Sequence, residues 1–343
     1  MSMNATPVYQ GTPAAKKSKI SGWIIGLIVG AILLFLGILA AVVIVIVSVF
    51  VSSPSTGPIY TGSDGYIAVL HIEGTITSVA PASSIFSGTT SYDHVYLMSS
   101  VDDLMKDDAN KGIMLFIDTP GGEVYATDEL YLKLEDYKET TGRPIYSYCA
   151  SMAASGGYYL AAASDKILMN RNCMTGSIGV TAGTYIDISG FLEKQGIKTT
   201  SIYVGKNKTM GSYFEGFSEE QKAIYTSILQ ETYDQFVQVV ADGRGMKTVD
   251  VEVLADGRVY SPKQAVANGL VDEITTFEDA RAKMLADNGL AEGTQYLDYM
   301  PTPDMALSGL FGIFSELKKS DLDSYLSYLD MPVNGPAYYY DGM

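Results

Sequence analysis

From Ile20 to Val51 the chain carries no charged residue. A helix crosses the hydrocarbon core of a bilayer with about 20 apolar residues, so this run predicts one membrane span with residues to spare. It is too long for the core of a secretory leader, and no small-x-small cleavage motif follows it. After a Ser/Pro/Gly-rich linker at 52–64 the pattern shortens. GYIAVLHIEGTI (65–76) predicts a strand that turns at Glu73-Gly74, and GIMLFID (112–118) predicts a buried strand running into the tight loop Thr119-Pro120-Gly121-Gly122. Val124, Leu130, Leu134 and Tyr137 fall at helical spacing, and that helix stops at Gly142. PIYSYC (144–149) and DKILMN (165–170) read as strands on either side of a helix in SGGYYLAAAS (155–164), and KTTSIYVG (198–205) reads as a further strand.

Residues 218–243 predict the longest helix of the folded part, opened by a Ser218/Gln221 capping box, with Ile224, Ile228, Phe236, Val239 and Val240 as its apolar stripe. A second box, Ser261/Gln264, opens a short helix. Alternating strands and helices predict an α/β domain with a mostly parallel sheet. From residue 291 the pattern loosens into a tail rich in Met, Tyr and Pro. The expected organisation is an N-terminal tail at 1–19, a span at 20–51, a linker at 52–64, a folded domain at 65–290 and a C-terminal tail at 291–343.

Charge orients the span. Lys16, Lys17 and Lys19 precede it, and no lysine or arginine follows in SSPSTGPIYTGSDGY (52–66). Lysine-rich flanks stay on the cytoplasmic side, so residues 1–19 are expected inside the cell membrane and the domain outside. Residues 1–52 hold three lysines and no acid, which leaves 20 basic and 39 acidic residues, a balance of −19, for the remainder. That acidity argues against nucleic acid as a partner and against an electrostatic grip on anionic lipid. The two cysteines, Cys149 and Cys173, form neither a disulfide scaffold nor a metal cluster of recognisable spacing; a single bridge and two buried thiols both remain open.

The stretch CASMAASGGYYLAAAS (149–164) places Ser155 before Gly156-Gly157, where a strand gives way to a helix. Amides at a helix start lack intrahelical partners, so the Gly156 N–H is placed to receive a developing oxyanion. Small neighbours leave room for a substrate backbone, although they suit a merely close-packed helix equally well. Gly121-Gly122 offers further amides, either to an oxyanion or to an extended peptide; a plain turn is the alternative. Nothing places either histidine near Ser155. His71 lies inside the first strand and His94 in a polar stretch, expected at the surface. A lysine withdrawn from water can replace histidine as the base, and SIYVGKNKTMGSYF (201–214) supplies Lys206 and Lys208. No cofactor or metal is expected.

In chain order, IAVLHIEGTI, IDTPGGEVYATDEL, SMAASGGYYLAAASDKI, TGSIGV, YVGKNKTMG and DGRVYSPKQAVANGLVDEI resemble the signal peptide peptidase A family, serine proteases of the S49 type. The resemblance covers roughly residues 65–280 and implies a ClpP/crotonase-like fold in the short, single-domain form. It implies Ser155 as nucleophile and Lys208, rather than Lys206, as general base. It further implies that Ser177 orients the lysine, with Gly121, Gly122 and Gly156 forming the oxyanion hole. It also implies a membrane-anchored serine-type peptidase acting on peptides, cleaved signal peptides above all, and assembled as a homo-oligomeric ring whose sites draw on adjacent subunits. Asp118 and Thr119 depart from the pattern, since such sequences often carry Asn at the first position. A catalytically inactive anchored scaffold and crotonase-like thioester chemistry are the alternatives. Tyr338, Tyr339 and Tyr340, an aromatic end on an acidic domain, predict either a tail folded back onto the protease or a frayed one.

Overall fold

The computed structural model describes residues 60–79 and 92–300, with Pro58, helical positions at Trp23, Gly30 and 33–38, and a strand at 337–339. The chain divides into two units, Met1–Thr56 and Gly57–Met343. Most of the span expected at 20–51 lies outside the described residues, and among those described no helix is long and apolar enough to cross a membrane.

The second unit is built on a sheet in the order β7-β6-β4-β2-β1-β9, with β5 and β8 branching from β4. Its strands are β1 (Tyr66–Glu73), β2 (Asn110–Thr119), β4 (Ile145–Ala154), β5 (Lys166–Met169), β6 (Met174–Gly176), β7 (Val259–Tyr260), β8 (Glu273–Ile274) and β9 (Gln295–Tyr299). All pairings are parallel except β6 with β7. The helices are α1 (His94–Lys106), α2 (Val124–Thr141), α3 (Gly156–Ala161), α4 (Ser189–Lys194), α5 (Glu219–Arg244), α6 (Thr248–Leu254), α7 (Pro262–Ala267) and α8 (Phe277–Asp287). This is the expected α/β class with a mostly parallel sheet. The sheet also continues past residue 290, because β9 pairs with β1 along its edge.

Successive strand residues face opposite sides, and β1 shows the consequence. Ile67 and Val69 join Met114, Tyr146, Leu168 and Met284 of α8 on one face. Ala68, Leu70 and Ile72 join Leu97 of α1, Leu130 and Leu134 of α2 and Phe236 of α5 on the other. A strand buried on both faces is a continuous apolar run, as VLHIE and GIMLFI nearly are. Each buried leucine contributes about 1.5–3 kcal/mol by leaving water.

Helix ends follow their local chemistry. α2 stops where Gly142 takes a left-handed φ of 65°. Both expected capping boxes form, at Ser218/Gln221 and Ser261/Gln264. The stripe of α5 is only partly buried: Phe236, Val239 and Val240 enter the core, whereas Ile228 is exposed. Residues 198–205 are not a strand. They pair with no strand among the described residues, and Ile202 and Val204 are 96% and 97% exposed, so their alternation lies against no described surface.

Candidate active site

Ser155 sits where β4 ends and α3 begins, with φ 52° and ψ −116°. That conformation belongs to the first central position of a type II′ turn, where glycine is the usual occupant. A serine held there costs about 1–3 kcal/mol. The turn is fixed from both sides. The Ser155 amide donates to the Gly176 carbonyl (2.8 Å), and its carbonyl accepts from the Tyr159 amide (2.9 Å). The side-chain Oγ is buried and has no hydrogen-bond partner among the described residues. Leaving a buried hydroxyl unpaired costs about a further 1–3 kcal/mol. Two local costs at one residue mark a position kept for something other than stability.

The approach to this turn contains a bulge. β2 and β4 run in register to Ile117 and Cys149, and the next pair is Thr119 with Ala153. The extra residues of β4 are tied down by Asp118, whose Oδ1 accepts from the Met152 amide (3.1 Å) and from the Ser151 hydroxyl. Bulges re-aim the strand that carries them. Here the bulge lies directly before the serine, and Asp118, one of the two departures from the family pattern, holds it.

The glycine loop is a short strand, β3 (Gly121–Glu123), rather than a plain turn. Ile76 bridges it in parallel register: the Ile76 amide donates to Gly121 (2.8 Å) and the Glu123 amide donates to Ile76 (2.8 Å). Neighbouring residues of a strand direct their polar groups to opposite edges, so the amide and carbonyl of Gly122 face away from Ile76. The Gly121 amide is already engaged, donating to Thr119 Oγ1 (3.0 Å). Gly122 lies opposite Tyr338 of the strand at 337–339, and Gly156 opens α3. Thr119 is the residue that sequence reasoning passed over. It also crowds α3, since a Cβ on Gly157 would come within 2.7 Å of its methyl group. α3 is anchored behind by Tyr158, whose hydroxyl donates to the Leu270 carbonyl (2.8 Å), and by Tyr159, which donates to Asp128 (2.6 Å).

Ser177 is adjacent, being buried, with φ 50° and its amide donating to the Arg258 carbonyl (2.8 Å). The structure therefore brings together Gly121, Gly122, Ser155, Gly156 and Ser177. Among the described residues no ion pair joins Lys208 to them. Lys208 is exposed on a turn closed by its own amide donating to Gly205 (3.0 Å), and its ammonium holds no ion pair among the described residues. Lys206 is paired with Glu220.

The histidines are committed elsewhere. His71 bridges Glu73 (2.7 Å) and Asp298 (2.9 Å) across β1 and β9. His94 is buried rather than at the surface, because Tyr92 (2.8 Å) and Glu129 (2.7 Å) satisfy its two ring nitrogens. Cys149 and Cys173 are both free and buried, and burial pushes the Cys173 thiol up to about 12. Among the described residues no group of three or more His, Cys, Asp or Glu is placed to hold a metal ion.

Comparison with known proteins agrees with the α/β fold. Residues 138–291 match Peptidase family S49, and residues 75–194 match the Clp protease family, which describes the same α/β core. A protein assigned as signal peptide peptidase SppA in Enterococcus faecium is 36% identical over 82% of this chain and 83% of its own length. Protease 4 of Haemophilus influenzae is 27% identical over 78% of this chain and 42% of its own. The chloroplastic serine protease SPPA of Arabidopsis thaliana is 30% identical over 62% of this chain and 31% of its own.

Proposed function

Because the chain belongs to peptidase family S49, we propose that it is a membrane-anchored serine endopeptidase in which Ser155 is the nucleophile and Lys208 the general base. The observation that carries this reading is the buried, unpartnered Oγ of Ser155 at a strained strand-to-helix turn beside β3. Neutral lysine takes the hydroxyl proton as Oγ bonds to the peptide carbonyl carbon. The oxyanion rests on the amides of Gly122 and Gly156, donors worth about 3–4 kcal/mol each. Collapse breaks the C–N bond, and the lysine returns its proton to the leaving amine. Water, deprotonated by the same lysine, then hydrolyses the acyl-enzyme and restores the serine.

Lys208 is exposed within one chain while the Ser155 hydroxyl has no partner among the described residues, so the base comes from an adjacent subunit of a homo-oligomeric ring, where Ser177 orients it. The region around Lys208 supports this. Ile186, Phe191, Ile202, Val204, Tyr213 and Phe214 are exposed between residues 186 and 214, an apolar surface suited to a second copy. A lysine loses its proton most readily when removed from water, which an interface achieves. The uncharged run 20–51 anchors the enzyme with its domain outside the cell membrane, and cleaved signal peptides are the substrates. The test is a serine-directed covalent probe on the purified protein, with mass spectrometry of products from a synthetic signal peptide. Labelling of Ser155, and cleavage lost in Ser155→Ala, are expected. An unlabelled Ser155 would favour the inactive-scaffold reading.

A further inference from the structure

Thr119 is the last residue of β2, fully buried, and paired with Ala153 just past the bulge. Its hydroxyl has one proton to give and lone pairs with which to accept. The proton goes to the Gly74 carbonyl (2.5 Å), and Oγ1 accepts from the Gly121 amide (3.0 Å). The Gly121 carbonyl does not compete for that proton, since it stands 3.5 Å away and accepts from the Ile76 amide instead. Gly74 also donates its own amide to the Asp118 carbonyl (3.0 Å). The turn that ends β1 is thereby fixed to the end of β2, and two residues further on it supplies Ile76, which bridges β3. Hydrogen bonds and the chain between 74 and 76 close a ring through Thr119, Gly74, Ile76 and Gly121. The Thr119 hydroxyl is the one side-chain group in that ring.

The other branch of the same side chain faces α3. A Cβ on Gly157 would stand 2.7 Å from the Thr119 methyl, 3.2 Å from the Thr119 carbonyl oxygen and 3.5 Å from an Ile117 methyl. The second residue of α3, next to Gly156, therefore rests on Thr119. Serine at 119 would supply the hydroxyl without this contact, and valine the contact without the hydroxyl. We propose that Thr119 is a positioning residue of the peptidase. Its hydroxyl fixes β3 and its methyl fixes the first turn of α3, so that one side chain sets the separation of the Gly122 and Gly156 amides. This rests on the peptidase reading above. Oxyanion donors act through prealigned geometry, and a displacement of about 1 Å costs about 100-fold in rate. Thr119 is fully buried and offers the peptide no contact of its own. Loosening it weakens stabilisation of the transition state rather than ground-state binding, so kcat falls and KM does not.

The experiment is a double-mutant cycle on the full chain, read with a fluorogenic peptide. Thr119→Val is expected to lower kcat about 100-fold with KM within about threefold, and Thr119→Ser to lower kcat about tenfold. Gly157→Ala forces a methyl group against that of Thr119 and is expected to lower kcat about 100-fold. When Thr119→Ser is combined with Gly157→Ala, one methyl replaces the other across the contact, and kcat is expected to return to within about threefold of the wild type. Urea unfolding of each variant establishes that the loss is measured on folded chains. Unchanged kcat in both Thr119 variants would overturn the proposal. A combined variant no better than Gly157→Ala, or losses carried by KM alone, would overturn it too. Hydrogen exchange separates this inference from the peptidase reading. In the Ser155→Ala background, exchange over 119–123 is expected to quicken in Thr119→Val, which takes the acceptor from the Gly121 amide, and to stay unchanged in Thr119→Ser. Equal exchange in all three overturns the role of the hydroxyl, whereas the expected order in a protein that cleaves no peptide overturns only the peptidase reading.

Discussion

A methyl group on Gly122 would stand 1.9 Å from the carbonyl oxygen of Ile76, the residue that bridges it. The glycine is required by a backbone neighbour and not by a turn. Gly122→Ala must push β3 away from residue 76, and overpacking of this kind typically costs about 1–3 kcal/mol. Urea unfolding is expected to show a loss in that range. Because displacement of β3 also moves the proposed oxyanion donor Gly122, kcat/KM is expected to fall about 100-fold. Wild-type stability in the variant would mean that residue 76 yields easily.

Ser155 predicts an inverted stability order. Ser155→Gly relieves a backbone conformation that suits glycine and deletes an unpaired buried hydroxyl, against a modest entropic penalty. It is expected to be more stable than the wild type by about 1 kcal/mol while losing all peptidase activity. Ser155→Ala keeps the strain and is expected to fall between them. Thermal unfolding of the three proteins decides it; a glycine variant less stable than the wild type would show that the turn holds no strain.

Lys208→Ala is expected to abolish cleavage without altering unfolding, since its side chain is exposed. If each site takes its serine and its lysine from neighbouring subunits, mixing Lys208→Ala with Ser155→Ala chains restores activity. In a randomly mixed head-to-tail ring about one quarter of the sites would be complete. Absence of any recovery after mixing and reassembly would place the lysine in the same chain as its serine.

The Arg244–Asp272 pair gives stability a pH dependence. Burial alone would raise the Asp272 carboxyl, but the fork of Arg244 (2.8 and 3.0 Å) and the Ile167 amide (2.7 Å) outweigh it and hold the carboxyl below the usual range. A group depressed in the folded state stabilises above its unfolded value, near 4, and the contribution disappears as pH falls through the folded value. Asp272→Asn is therefore expected to cost about 2 kcal/mol at pH 7, and the gap from wild type should narrow on acidification toward pH 3. A gap independent of pH in urea titrations would contradict this.

The main strands and helices were legible because their periods are statements about burial, and the burial partners lie in this chain. Where they do not, the reading failed. Ile202 and Val204 alternate like strand residues yet stand in solvent, with no strand or core among the described residues for them to lie against. β9 was missed for a different reason: five residues ending in Tyr299 carry too short an alternation to stand out from the tail. His94 looked like a surface residue among polar neighbours, but its second partner, Glu129, lies on another helix. Ser155 and the glycines could be picked out from residue type and order. The use of the Gly121 amide by Thr119 could not, since a hydroxyl-to-amide bond depends on turn geometry that no spacing reveals.

The nucleophile turn is supported from far along the chain. Ser155 hangs from Gly176, the next residue Ser177 hangs from Arg258, and β6 is paired by β7 at Val259–Tyr260. A chain is made from its N-terminus and folds as its parts emerge. The serine is thus synthesised well before the segment that braces it. Until residues 258–260 emerge, the Ser155 turn lacks the strand and carbonyl that hold it in place.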